Sequence, residues 1–280
     1  MDHVALFDQT TLECSKLITQ RYSTSFTLGI KTLHKKFHLP IYAIYGFVRY
    51  ADEIVDTFHD HDKKELLRRF KAETYTAIEQ KISLNPVLHS FQMTVNDYNI
   101  GLDLIEAFLV SMEMDLNNSD YTQEGYKTYI YGSAEVVGLM CLCVFCQGNT
   151  AEYEKLLPSA KRLGAAFQKV NFLRDIKSDY DDRGRVYFPG IDFNNFDANE
   201  KALIERDIQE DFDAALEGIK QLPEEAKLGV YLAYVYYLKL FKKIKGLPPK
   251  RIKLERIRIP DFRKAILLAE TYFKHQLRVI

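Results

Sequence analysis

YAIYGFVRYADEIVD, residues 42–56, sorts its side chains onto two sides of one helix. At about 100° per residue, Tyr45, Arg49, Asp52 and Asp56 fall within about 60° of arc and form one stripe. Glu53 sits beside it. Ile44, Phe47, Val48, Ala51, Ile54 and Val55 lie on the opposite side. The ordinary reading of such a helix is a solvated polar face over an apolar seat. The stripe's composition argues against it: a tyrosine, an arginine and two carboxylates share one line, with no lysine. Asp52 and Asp56 are one turn apart, with Cβ atoms about 5–6 Å apart, within reach of one cation.

A second stripe repeats the pattern. In LGAAFQKVNFLRDIKSD, residues 163–179, the side chains of Gln168, Asn171, Asp175 and Asp179 fall within about 80° of arc. Ala165, Phe172 and Ile176 border this stripe closely, and Leu163 and Phe167 more loosely, where a solvated face carries Lys and Glu. Two helices with Asp-x-x-x-Asp pairs facing each other across a cavity would suit a hard divalent ion. Mg²⁺ in particular takes a few carboxylates and completes its shell with substrate phosphates. Arg49 and Arg174 lie within the same stretches.

The rest of the composition fits a helical protein. The 280 residues include 13 Gly and 8 Pro, which favours long helices, and 47% hydrophobic residues, enough for a large core. No strand pattern lasts long enough for a sheet. The expected fold is all-α, a single domain over 1–280. The net charge of −1 gives no bulk attraction to nucleic acid. The N-terminus lacks a basic region followed by an apolar run, so no secretory signal is expected. The longest apolar run, Val136–Cys146, is too short to span a bilayer and reads as a buried helix. Cys143 and Cys146 have C-x-x-C spacing but no partner pair, so they read as core. With Cys14 and Cys141 they are compatible with a reducing cytoplasm.

Taken in order, residues 2–20 read as a helix. RYSTSFT, residues 21–27, reads either as a hydroxyl-capped helix start or as a phosphate contact. Pro40 is expected to open the central helix. FHDHDKKE reads as a polar loop rather than a metal site. Helices follow over 63–81, from Pro86, over 102–116 and from near Tyr126. The last of these carries YIYGSAEVVGLM, whose small residues suit close packing. Glu135 there needs pairing, hydration or a proton. Further helices are expected over 198–221, from Pro223, and over about 261–276.

Four of these stretches, in order, resemble the squalene and phytoene synthases: RYSTSF, YAIYGFVRYADEIVD, YIYGSAEVVGLM and QKVNFLRDIKSDYDDRGRVYFP. The resemblance covers most of 21–189 and is looser beyond. It implies an isoprenoid-synthase-type helical bundle around a central cavity. It also implies head-to-head joining of two prenyl diphosphates through a cyclopropyl diphosphate, in isoprenoid and carotenoid biosynthesis. Mg²⁺, or Mn²⁺ in its place, would bridge Asp52, Asp56, Asp175 and Asp179, with Asn171, to the diphosphates. Arg49, Tyr45 and Tyr129 would share the catalysis. Arg21, Ser23, Ser25, Phe26, Gln168, Arg174, Arg185, Tyr187 and Tyr237 would contact substrate. Arg183, with Arg185 and Tyr187, belongs to a charged loop that lies over the active site in the family, Arg256 and Lys264 roughly match basic positions, and Glu53 stands where the family often has Asp.

The expected product is phytoene from two geranylgeranyl diphosphates, without NADPH, since no Gly-rich dinucleotide fingerprint is present and the motifs resemble those of bacterial phytoene synthases. Squalene or dehydrosqualene from farnesyl diphosphate is the alternative. A terpene cyclase, a non-catalytic relative and a plain helical scaffold are the rivals. The expected location is cytoplasmic, with peripheral membrane contact for release of a lipid product.

Overall fold

The computed structural model describes residues 2–117, 121–183, 187–191, 196–252, 254 and 256–258, with backbone alone over 178–183. Among these residues every regular element is helical. The order is α1 His3–Tyr22, α2 Thr24–Lys31, a 3₁₀ turn Lys35–Phe37, α3 His38–Asp56, α4 Lys63–Gln80, α5 Pro86–Tyr98 and α6 Leu102–Asn117. There follow α7 Gln123–Ile130, a π turn Tyr131–Glu135, α8 Val136–Cys146, α9 Thr150–Arg183, α10 Ala198–Ile219, α11 Glu224–Lys245 and a short α12 Pro249–Ile252.

The apolar side of α3 does what its periodicity requires. Phe47 is fully buried and stacks on Phe91 of α5 at 3.9 Å, with Phe70 of α4 and Phe108 of α6 at 5.5 and 5.3 Å. Three helices therefore grip α3 from behind and turn its acidic stripe the other way. α3 begins at His38, two residues before Pro40, which falls within the first turn, where a missing N–H costs nothing. α7 begins at Gln123 rather than near Tyr126, because the Thr122 hydroxyl accepts from Gly125 N at 3.1 Å and caps it. Asn85 caps α5 ahead of Pro86, and Asp62 caps α4, which leaves 57–62 as the expected polar turn.

The 34-residue α9 brings Gln168 and Asn171 of the second stripe to the wall of a cavity. Its opposite side is fixed by charge. The Lys169 ammonium lies 2.5 Å from Asp207 and 2.7 Å from Asp211 of α10, and Arg162 meets Asp211 at 2.8 Å. Asp211 is fully buried, so losing either cation would strand a charge in the core. This cluster fixes the rotation of α9 about its axis, and with it the direction of Gln168 and Asn171.

α7, the π turn and α8 form one helical run, Gln123–Cys146. The continuity with α7 extends the apolar run to 24 residues, long and apolar enough to cross a membrane by composition, with 56% of its most apolar window buried inside the fold. It packs between α6 and α9, the position of a core helix. Two glycines permit this. A Cβ at Gly132 would meet Ala107 O of α6 at 2.4 Å, and one at Gly164 of α9 would meet Ala134 O at 2.8 Å. All four cysteines are free, and burial pushes the Cys143 thiol up to about 11.

Candidate active site

A cavity of about 430 Å³ opens between α2, α3, α8, α9, α10 and α11. Ser23, Ser25, Gln168, Asn171 and Arg174 supply its polar end. Leu33, Val137, Phe145, Leu156, Ala160 and Leu222 are among the residues of its apolar length. The cap reading of RYSTSF holds for Ser23, and the motif also reaches the cavity. Ser23 caps α2 by accepting from Phe26 N at 3.2 Å, and both Ser23 and Ser25 line the cavity. Phe26 lines it too, its ring 5.1 Å from that of Tyr45. Arg21 is exposed at the end of α1.

On α3, Arg49 is ion-paired with Glu53, and its guanidinium lies over the Tyr22 ring at 4.5 Å. Its buried Nε has no hydrogen-bond partner among the described residues. Despite partial burial, hydrogen bonds from Arg49 and Thr57 hold the Glu53 carboxyl below its ordinary pKa. Asp52 behaves oppositely. Burial raises its pKa to about 7, and repulsion from Asp56, Asp115 and Glu53 adds to this against the pull of Arg49. Asp52 is thus held among like charges that disfavour its ionised form, which a bound divalent cation would relieve.

On α9, Asn171 Nδ2 donates to Gln168 Oε1 at 3.4 Å, while its buried Oδ1 accepts from no group among the described residues. A buried carbonyl oxygen without a donor costs energy unless something electropositive meets it. Asp175 is held differently from the expectation of an open ligand. Its two oxygens take Arg174 Nη2 at 2.5 Å and Nε at 3.0 Å, and Arg256 Nε reaches it at 2.7 Å. The Arg256 match is therefore brought to the second motif. Asp179 lies on α9, but its side chain, like that of Arg183, falls outside the described residues, as do Arg185 and Lys264.

The aromatic expectations divide. Tyr237 lines the cavity and stacks on Phe167 at 4.0 Å. Tyr187 is buried, stacked on Phe172 at 4.0 Å with Tyr129 at 5.4 Å, and is not among the cavity-lining residues. Tyr129 is 4% exposed, and its hydroxyl donates to Asp115 at 3.0 Å. Glu135 meets Lys161 at 3.9 Å, and burial raises its pKa. Gly132 packs against α6 while Ser133 and Ala134 line the cavity, so the small-residue motif both packs and makes wall.

Among the described residues, no three His, Cys, Asp or Glu side chains are gathered closely enough to hold a metal by themselves. The donor set nonetheless fits Mg²⁺ that completes its shell with phosphate oxygens: hard oxygens, excess negative charge on α3 and a bare carbonyl on α9. Two participants were missed in the sequence. Tyr22 supports Arg49 through its ring face. Asp115 is a third carboxylate beside Asp52, and its only sequence signal was an acid in the last turn of α6, the unfavourable end of a helix dipole.

Comparison with known proteins agrees with this arrangement. The 15-cis-phytoene synthase of Synechococcus elongatus is 29% identical over 258 residues, 80% of each chain. The 4,4'-diapophytoene synthase of Staphylococcus haemolyticus is 27% identical over 195 residues, 68% of this chain and 66% of that one. A solved dehydrosqualene synthase superposes with a TM-score of 0.79 over 98% of both chains at 22% identity, which shows a shared fold. The squalene synthase HpnC from Alicyclobacillus acidocaldarius does so with a TM-score of 0.75 at 18% identity, over 89% of this chain and 97% of that one. The family described as squalene/phytoene synthase matches residues 19–263. The chain therefore belongs to the squalene/phytoene synthase family, whose members are prenyltransferases that act on prenyl diphosphates and join them head to head.

Proposed function

We propose that this chain condenses two geranylgeranyl diphosphates to phytoene, with Mg²⁺ (Mn²⁺ in its place) and without NADPH. The observation that carries the proposal is the junction of two surfaces in one cavity: hydroxyl, amide and guanidinium groups at one end, and a long apolar barrel at the other. A diphosphate with a prenyl tail has that same division. Asp52 and Asp56 on α3, and Asn171, Asp175 and Asp179 on α9, would hold the metal, which when bound neutralises the diphosphate charge and eases its departure. Ser23, Ser25 and Arg174 orient the diphosphate. Arg49, fixed by Glu53 and Tyr22, adds a charge that cannot swing away. The apolar walls keep water from the allylic cation, and the faces of Tyr45 and Tyr237 offer it electron density.

Chain length is read from the relatives and the wall. Several curated relatives are named phytoene synthases, at 23–29% identity. Ala134, Gly138, Ala160, Gly164 and Gly218 keep the cavity open along its length. The 4,4'-diapophytoene synthase relative favours farnesyl diphosphate as the second reading. Peripheral contact with a membrane, into which so apolar a product partitions, belongs to the same proposal. The test is incubation with Mg²⁺ and each prenyl diphosphate, with and without NADPH, and identification of the hydrocarbon by mass. A forty-carbon product without NADPH is expected. A thirty-carbon product, with no turnover of geranylgeranyl diphosphate, overturns the chain length.

A further inference from the structure

Leu33 lies in the turn after α2 and belongs to the cavity wall. Its side chain sits in a notch that Gly229 leaves in α11. A Cβ at Gly229 would overlap that side chain, coming within 2.7 Å of Leu33 Cγ, and would lie 3.1 Å from Gly29 O. Glycine inside a helix is unfavourable in itself, so its place here marks a packing demand. The main chain around Leu33 is tied down. Leu33 N donates to Ile30 O at 3.0 Å, the His38 ring donates to Leu33 O at 2.9 Å, and His34 N donates to Glu225 O of α11 at 2.9 Å. The Glu225 side chain also holds Lys36 at 2.7 Å. The turn and α11 are thus clamped together beside the notch. What can move is the side chain of Leu33, and the open space next to it is the cavity.

The notch lies partway along that cavity. Gly229 precedes the lining Tyr237 by eight residues of α11, about 12 Å along the axis, whereas Leu156 precedes Asn171 by fifteen residues of α9, about 22 Å. An extended carbon chain gains about 1.2 Å per bond, so the four bonds of an isoprene unit span about 5 Å and three units about 14 Å. A prenyl tail that starts at the polar end therefore finishes its third unit near the notch and lays its fourth beyond it.

We propose that Gly229 and Leu33 together set the length of prenyl chain that the site accepts, the notch at Gly229 holding Leu33 out of the path of the fourth isoprene unit. The proposal rests on the condensation proposed above and adds to it the residue pair that admits the longer tail. A methyl group at 229 takes the space of the Leu33 side chain. Side chains in a packed wall give way before a clamped backbone, so Leu33 swings into the cavity. A shorter tail ends before the displaced leucine, and a longer one meets it. A misfit of a single methylene is worth about 10–200-fold in selectivity, and a displaced leucine is at least as large an obstacle. This pair differs from the small residues elsewhere on the wall, because a change at one member can be undone at the other.

The test uses the full chain at saturating Mg²⁺ and measures kcat/KM with farnesyl and with geranylgeranyl diphosphate. Gly229→Ala should lower the ratio of geranylgeranyl to farnesyl turnover by about 10²-fold. Leu33→Ala should raise that ratio. The double variant Gly229→Ala with Leu33→Ala should return the ratio to the wild-type value or above it, because no leucine is left to displace. An unchanged ratio in an active Gly229→Ala chain, or a double variant as restricted as Gly229→Ala alone, overturns the proposal. If Gly229→Ala fails to fold, Leu33→Phe, too long for the notch, carries the same readout. If the wild-type chain takes only farnesyl diphosphate, Leu33→Ala must admit geranylgeranyl diphosphate, or the proposal falls. Failure of the wild-type chain to consume any prenyl diphosphate would sink the condensation and this proposal with it, whereas an unchanged ratio in active variants sinks the notch alone.

Discussion

Asp52→Asn should destroy activity and stabilise the metal-free protein. The carboxyl is raised from 3.8 to about 7, about three units, chiefly by burial and then by its acidic neighbours. At 1.36 kcal/mol per unit, the full shift corresponds to about 4 kcal/mol held against the ionised form. Water in the cavity and side-chain relaxation reduce this to about 2 kcal/mol. The sign follows from proton binding. Between pH 3.8 and about 7 the folded chain holds a proton that the unfolded chain has lost, so this group's contribution to stability falls as pH rises through that window. Asparagine carries no charge to bury. Asp52→Asn should therefore match wild type near pH 4 and exceed it by about 2 kcal/mol at pH 8, or about 4–8 °C in Tm. The assay is a pair of thermal melts in chelator at each pH. Diphosphate release with Mg²⁺ should meanwhile fall by at least about 10²-fold. A variant no more stable than wild type at pH 8, or a shift equal at both pH values, would refute the reasoning.

Glu53→Gln should slow turnover much less than Asp52→Asn, because Glu53 is engaged by Arg49 and Thr57; equal losses in steady-state assays would make it a direct ligand. Asn171→Leu fills the space of the amide with an apolar group and should raise the Mg²⁺ concentration needed for half-maximal activity, with little change in Tm; an unchanged Mg²⁺ titration would remove Asn171 from the metal set. Phe47→Ala should cost about 3–5 kcal/mol in urea unfolding, since its ring fills the joint between α3, α4, α5 and α6; a loss below about 1 kcal/mol would mean that the joint collapses around it.

The helical periods of α3 and α9 carried most of what the sequence disclosed. Phe47 and its apolar neighbours fixed the back of α3, so the direction of Asp52 followed. Ser23 could be read as cap or ligand; in the folded chain its hydroxyl caps α2 and the residue lines the cavity. What stayed hidden was whatever depends on distant partners. Asp115 enters the site only through the packing of α6 on the π turn, and no local period announces that contact. The capture of Asp175 by Arg256 joins residues 81 positions apart, with α10 and α11 between them. Tyr187 was expected to contact substrate, yet its ring packs in the pile of Phe172, Tyr129 and Tyr121.

The π turn at Tyr131–Glu135 makes the cavity wall unusually sensitive to chain length in one place. Removing a single residue there would let the run from Gln123 to Cys146 relax to an uninterrupted α-helix. Every side chain before the turn would then rotate by about 100° relative to every side chain after it, and move about 1.5 Å along the axis. Tyr126 and Tyr129 would swing away from Phe172 while Val137 and Cys141 kept their places on the wall. An ordinary surface loop tolerates such a deletion, whereas here it would part the Tyr126–Tyr129–Phe172 cluster from the apolar wall of the cavity. Point substitutions at Ser133 or Ala134 can reshape this wall gradually, but a one-codon deletion cannot.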